Sequence, residues 1–547
     1  MHDNGRDLFF TNGTVFDGHR FLAAGTGVIV RGSRIAVIGS DAPTGSPEPV
    51  DLQGGTLVPG FIDAHAHPVF AGNQMRHCDL SSGGTAPEYV DLVAAYAEQH
   101  PHETWITGGG WAMEAFPGGI PTRGLLDAVV PDRPVCLSNR DGHGTWVNSR
   151  ALELAGIDDR TPDPADGRIE RDAQGVALGM LQEGASDLVG HLLPEPTPDD
   201  WYYALLLAQR HLAGLGVTGW QDAIVGAYQD GADPLPSYLR AAGDGSLSAT
   251  VVGALWWDRN RGLDQVEELV ERRGRGGSDR FRATSIKMML DGIVENHTAA
   301  MLEPYLGADA CAGDHTGLDF IDPDELPRYV TALDREGFQV HFHALGDRAV
   351  RNALDAIDAA RRAGGSAECR HHLAHLQVVH PDDIPRFAQL GATANLQALW
   401  AAHEPQMDEL TIPFLGDRRS GWQYPFHSLQ AAGAALCGGS DWPVSSPDPL
   451  LALHVAVNRS LPTDAGGAGK DPLLPEQAID LTTMLAAYTS GSAAVNGVAE
   501  RAGSIREGMD ADLAVIDADL SHIDSADICR ATVRQTWIRG DLVHDGK

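Results

Sequence analysis

Lysine is almost missing from this chain: of its 40 basic residues only Lys287, Lys470 and Lys547 are lysines, and the other 37 are arginines. Such a bias reflects genome composition, under which arginine takes the place of any lysine it can replace. A lysine kept inside an apolar segment therefore invites a chemical reason. Positive charge as a whole is scarce. Against 75 acidic residues the formal net charge is −35, and a surface that negative repels nucleic-acid phosphates and anionic lipid, which argues against a polyanion-binding role. Cysteine is sparse and scattered: Cys78, Cys136, Cys311, Cys369, Cys437 and Cys529 form no CxxC pair. That spacing excludes a disulfide framework and a thiolate zinc site, and it suits a reducing compartment. No apolar run reaches the roughly 18 residues of a membrane span, and the first residues lack the basic-then-apolar pattern of a leader. These absences lead to the expectation of a cytoplasmic enzyme with a small-molecule substrate and no membrane or nucleic-acid partner.

What is present is a chain of 547 residues with 43% hydrophobic and 21% charged residues, enough for one large α/β barrel with attachments. Strand-like apolar segments recur at 55–67, 216–223, 248–257, 281–292, 337–347, 368–377, 391–400 and 434–443. Helical spacing follows the fifth in DRAVRNALDAIDAARRAGG and the sixth in IPRFAQLG, each closed by glycine. Eight strands alternating with helices predict a (β/α)8 barrel of the TIM type, an α/β fold, over residues 60–498. The interval of about residues 70–213 is too long for one connection and predicts an insertion subdomain after the first strand, over the barrel mouth. Residues 1–59 and 499–547 are both β-rich and broken by turns, so the two ends are expected to pair into one small β-sandwich domain.

The strongest chemical signal is PGFIDAHAH, in which His65 and His67 alternate with alanine at the end of the first strand. Alternation puts both imidazoles on one face, where they could grip a divalent cation or simply satisfy each other as a polar pair. Lys287, His343, His375 and Asp441 fall at the ends of other predicted strands, where barrel active sites assemble. Their joint occurrence favours a metal site over isolated core residues or a turn cap at Asp441. A lysine there is explained if burial among cations deprotonates it, because a neutral amine takes up carbon dioxide to form a carbamate that can bridge two metals. The competing reading pairs Lys287 with an acid such as Asp291.

PGFIDAHAH, the strand-end His343, His375 and Asp441, and the closing GSIREGMDADLAVID together resemble the amidohydrolase superfamily. KMMLDGIVENHTAAMLEPY, HALGDRAVRNALDAI, GGSDWPVSSPDPL and DGHGTWVNSRAL are similar to the subgroup of N-substituted formamide deformylase-like and exoenzyme-regulator-like proteins. The likeness runs from about Asp7 to Val543. It implies that His65, His67, Lys287, His343, His375 and Asp441 are metal positions, with Lys287 the lysine that many relatives carboxylate. Two departures stand out: His375 sits in LAHLQ where many relatives have an acid before the histidine, and His341 adds a second HxH. His341, His371 and His372 are read as core residues or as supports of the ligands. Homo-oligomers are common among such relatives, which leaves a homo-oligomer open here.

The implied activity is metal-dependent hydrolysis of a non-peptide carbon–nitrogen bond in a linear amide, with an N-substituted formamide as the single best substrate. A bound cation brings water toward ionisation at neutral pH, and Asp441 serves as general base and then general acid. Imidazole and carboxylate ligands favour zinc, one or two ions, with manganese, iron or cobalt as alternatives. A hydrolase of cyclic amides, carbamates or lactones is the nearest rival. A non-catalytic metal-binding regulator is the rival from another class, which an intact Asp441 and the −35 charge oppose. Trp105, Trp111, Phe116, Trp146, Trp220, Trp400 and Trp442 offer aromatic surface for an arylalkyl group, and His143, Glu295 and His297 offer polar contacts to a substrate.

Overall fold

The computed structural model describes residues 7–39, 47–194, 196–228, 233–275, 277–307, 315–463, 466–467 and 469–546. Cys311, Lys547 and most of the Pro/Gly/Ser patch near residue 45 lie outside the described residues. Near-continuous apolar runs form strands buried on both faces, as a parallel sheet covered by helices requires. Eight of them make up one sheet: β1 (Phe61–Ala66), β2 (Val217–Val225), β3 (Thr250–Trp256), β4 (Phe281–Met289), β5 (Gln339–Ala344), β6 (His372–His375), β7 (Thr393–Leu396) and β8 (Ala435–Gly438). Their order in the sheet is their order in the chain, and all neighbours run parallel.

The two outer strands are laced together just beyond their ends. Asp441 N donates to His65 O at 2.7 Å, His67 N to Trp442 O at 2.8 Å, and Ser440 N to the Asp63 carboxylate at 3.0 Å. These bonds close a TIM-type (β/α)8 barrel at its carboxyl end. Helices follow β5 over Asp347–Arg362 and β6 over Ile384–Leu390, the second capped by Gly391 at φ 65°, a conformation that costs glycine little.

Two strands are shorter than the apolar pattern suggested. Residues 367–369 form a 3-10 turn rather than the start of β6, and the chain leaves β8 at Gly438. In both places a ligand candidate follows in left-handed backbone, His375 at φ 79° and Asp441 at φ 62°. Left-handed φ in a residue with a Cβ costs roughly 1 kcal/mol, and it ends the extended run while turning the side chain into the barrel mouth.

Between β1 and β2 lies a six-stranded sheet from Cys78–Asp79 to Ala177–Glu183 with its own core of Tyr89, Trp111, Phe116 and Trp146. The chain ends meet in a five-stranded sheet in which Thr56–Pro59 pairs with Leu513–Ile516. A four-stranded sheet of residues 7–51 packs against it. Phe10 meets Trp537 edge to face at 5.5 Å in the shared core.

Candidate active site

At the carboxyl end of the barrel the side chains of β1 and of the turn after β8 converge. His65 Nε2 and His67 Nε2 lie 3.0 and 3.1 Å from the same Asp441 oxygen, and His375 Nδ1 lies 3.7 Å from the other. Ligand atoms of His65, His67 and Asp441 all fall within 4.8 Å of one another. His65 Nε2, despite its short approach to Asp441, lacks hydrogen-bond geometry, and His375 Nε2 is likewise buried without a partner. Buried nitrogen lone pairs converging on a carboxylate without hydrogen bonds fit a divalent cation.

The charge states agree with that fit. Burial holds His65 and His343 well below the ordinary imidazole range and His375 at about 3, so all three imidazoles are neutral. Burial opposes ionisation of Asp441, yet the imidazoles packed around it, of which His67 hydrogen-bonds it at 3.1 Å, hold its carboxyl well below the usual range. Lys287 lies beneath this cluster on β4, where burial lowers its amine to about 7. Its amine makes no hydrogen bond among the described residues. The alternative pairing with Asp291 is not what the structure has, because the Asp291 carboxylate accepts from the backbone N–H groups of Ala300, Leu345 and Gly346. His343 stands beside His375 with ring centroids 4.5 Å apart, and its Nε2 faces Gly292 O at 3.4 Å.

The three ambiguous histidines separate cleanly. His371 accepts from Val340 N and donates to Asp334, a tie away from the cluster. His341 and His372 belong to a hydrogen-bonded chain under His65 whose proton positions follow from one end. Gln339 Nε2 faces the carbonyls of Arg370 and Val495, which only accept, so its oxygen faces Gln221 Nε2 at 3.0 Å. Gln221 Oε1 must then accept from His341 Nδ1 at 2.6 Å and His372 Nε2 at 3.0 Å. Burial keeps His341 neutral, so its Nε2 is a lone pair that accepts from His65 Nδ1 at 2.7 Å. The proton of His65 is thereby fixed on Nδ1, and its Nε2 lone pair is left for a cation.

A cavity opens over the cluster. Asp141 and His143 of the insertion line it with Glu295, Gln377, Trp400 and Tyr424 of the barrel loops. His143 Nδ1 donates to Glu183 at 2.9 Å, and the other Glu183 oxygen accepts from Thr298 at 2.8 Å. Burial alone would lower the His143 pKa, but Glu183 outweighs it and raises the value to about 9.

His143 and Glu295 thus line the cavity, whereas three other candidates do not. Trp111 is fully buried in the insertion core and donates to Leu137 O. His297 is held between Tyr305 and Phe414, and Trp442 stacks on His211 at 5.1 Å. Of the aromatic residues singled out from the sequence, Trp400 alone lines the cavity. The others fill cores because a large ring gains more from complete burial than from a wet wall. Glu183 and Gln221 were not anticipated. Each carries one usable signal, an acid before glycine in LQEGAS and a glutamine amid the apolar run GVTGWQDAIV.

The amidohydrolase family matches residues 48–544 of this chain. The LONG AFTER FAR-RED 3 protein of Arabidopsis thaliana is 30% identical over 98% of this chain and 91% of its own length. An N-substituted formamide deformylase of Arthrobacter pascens is 28% identical over 99% of this chain and 98% of its own. Among solved structures, a metal-dependent hydrolase of Pyrococcus furiosus is similar with a TM-score of 0.68 at 25% identity, covering 93% of this chain and 98% of that one.

Proposed function

The chain belongs to the amidohydrolase family and is a metal-dependent hydrolase acting on carbon–nitrogen bonds; from that premise we propose that it hydrolyses a linear, non-peptide amide of small size, an N-substituted formamide being the best single substrate. The observation that carries this is the convergence of His65, His67 and His375 on the Asp441 carboxylate at the floor of a cavity lined by a paired imidazole, His143. Formamide is preferred because the deformylase relative named for it matches over nearly the whole of both chains.

His65, His67, His375 and Asp441 would hold one divalent ion, for which imidazole and carboxylate donors favour zinc. A carbamate on Lys287, together with His343, would provide for a second. A cation there supplies Lewis acidity, easing the ionisation of water and polarising the amide carbonyl. The remaining work belongs to the protein. Asp441 is anionic and takes a proton from the water whose oxygen bonds to the carbonyl carbon. It then delivers that proton to the amide nitrogen as the carbon–nitrogen bond breaks, so the leaving group departs as a neutral amine. His143, charged through Glu183, donates from Nε2 to the carbonyl oxygen as negative charge develops there. The acidic composition and cysteines that form no disulfide among the described residues support work on a small molecule in the cytoplasm.

Metal-loaded protein incubated with N-substituted formamides tests the reading. Formate and amine are expected in equal amounts, and Asp441→Asn is expected to lose most turnover. Release of product from cyclic amides or lactones alone, with linear amides untouched, would transfer the site to the rival substrate class. An unchanged kcat in Asp441→Asn would remove the general base.

A further inference from the structure

The cavity above the metal-binding cluster has aliphatic walls in Ile293, Leu345 and Val444 and a polar side around Glu295. Glu295 accepts from Thr411 at 2.7 Å and Gln377 at 3.2 Å through one oxygen, Oε1. Burial raises the pKa of this carboxyl, and Thr411, its own backbone N–H and Gln377 oppose the rise. Tyr424 lines the same cavity at 4% exposure, and its hydroxyl makes no hydrogen bond among the described residues, although it feels the charges of Glu295 and Glu404. Leaving an inward-facing phenol unpaired is costly unless water or a ligand completes it. Asp141 and Glu295 line the cavity, as does His143, which is matched to Glu183. Outside that lining Arg140 sits between Glu114 and Glu404 at 3.5 and 3.8 Å. Trp400 presents aromatic surface to the cavity, with the Arg140 guanidinium 5.5 Å from its ring centroid.

A carboxylate oxygen, an unpaired phenol and an indole around one small space are the parts of an ammonium site. Resting on the amide-hydrolase reading above, we infer that Glu295, Tyr424 and Trp400 form a specificity subsite for a positively charged amine on the substrate, so that the preferred substrate is an amide whose N-substituent ends in an ammonium group. Glu295 pairs with the cation, the Tyr424 oxygen accepts one of its N–H bonds, and Trp400 shields it from water. An apolar chain of the same length would leave the phenol unpaired, and an anionic one would meet the carboxylates of Glu295 and Asp141.

Two probes of matched length decide this, N-(3-aminopropyl)formamide and N-butylformamide, used with the metal-loaded full chain. Steady-state kinetics gives kcat/KM for each, and calorimetry on Asp441→Asn gives binding without turnover. The ammonium probe is expected to bind about tenfold more tightly or better, with the preference falling to about twofold in Glu295→Gln and to an intermediate value in Tyr424→Phe. Glu295→Gln is nearly isosteric, and Tyr424→Phe keeps the ring, so the second variant decides if the first fails to fold. Equal or tighter binding of the neutral probe, or an unchanged preference in both variants, would overturn the subsite. Preferential binding of the ammonium probe with no hydrolysis of either would retain the subsite and sink the amide reading. Hydrolysis of both without preference would do the reverse.

Discussion

Replacing His341 by phenylalanine keeps a ring of similar size in the barrel and deletes both nitrogens. The structure limits the damage to one group. Gln221 Oε1 keeps its bond from His372 at 3.0 Å, but His65 Nδ1 loses its partner at 2.7 Å in a fully buried position. An orphaned buried donor costs about 1–3 kcal/mol, and His65 escapes that cost by moving its proton to Nε2. The escape removes the lone pair that faces Asp441. Metal affinity should therefore fall about 10- to 100-fold, the range found when partners of metal-ligating histidines are lost, although no ligand has been touched. Competition with a chromophoric chelator at fixed pH reads this directly. His341→Gln supplies the control, since its amide can still donate to Gln221 and accept from His65, and most of the affinity should return. Affinity within about twofold of wild type in the phenylalanine variant, or a glutamine variant weaker than the phenylalanine one, would refute the proton assignment.

Three further outcomes follow from the same geometry. With its amine lowered to about 7, Lys287 is roughly half neutral at pH 7; protein in carbon-13 bicarbonate should show a carbamate resonance that Lys287→Arg lacks, and full activity without that signal would refute a role for the carbamate. His143 is raised to about 9 by Glu183, so the stability of that ion pair is complete below the ordinary 6.5 and is lost as pH rises through about 9. Activity should fall over the same window, and Glu183→Gln should move that limb to lower pH, because burial is then opposed only by Asp141 and Asp441; an unmoved limb would show that His143 is not the titrating donor. A Cβ on Gly439 would stand 2.7 Å from His65 Cβ and 2.8 Å from Asn395 Oδ1, so Gly439→Ala must displace His65 and should lower kcat by about a hundredfold, which wild-type rates would contradict.

The barrel was legible because its strands are buried on both faces and read as apolar runs of the right length. All eight such segments became neighbours in one sheet. The ligand candidates were legible for a related reason: each is a polar residue at the carboxyl end of such a run, where the pattern itself marks an exception. Strand ends were less so. Nothing in HHLAHLQ or GGSDWP announces that His375 and Asp441 adopt left-handed backbone, since His and Asp visit that conformation more than most residues with a Cβ but do so in only a few of their positions.

The walls of the cavity resisted reading because they are made by residues whose neighbours in space are far apart in the chain. Glu183 and His143 meet across 40 residues, and Gln221 and His341 across 120. In a sequence each of these is one polar residue among many, and its meaning lies in which lone pair it leaves to the next. Aromatic residues misled for the opposite reason. Their number suggested an apolar pocket, yet burial draws large rings into cores first. What remained for the cavity were glutamines, carboxylates, histidines, one indole and one unpaired phenol beside Ile293, Leu345 and Val444. If Glu295 and Tyr424 take up an ammonium as proposed, charge selects the substrate on one side of this cavity and apolar fit on the other.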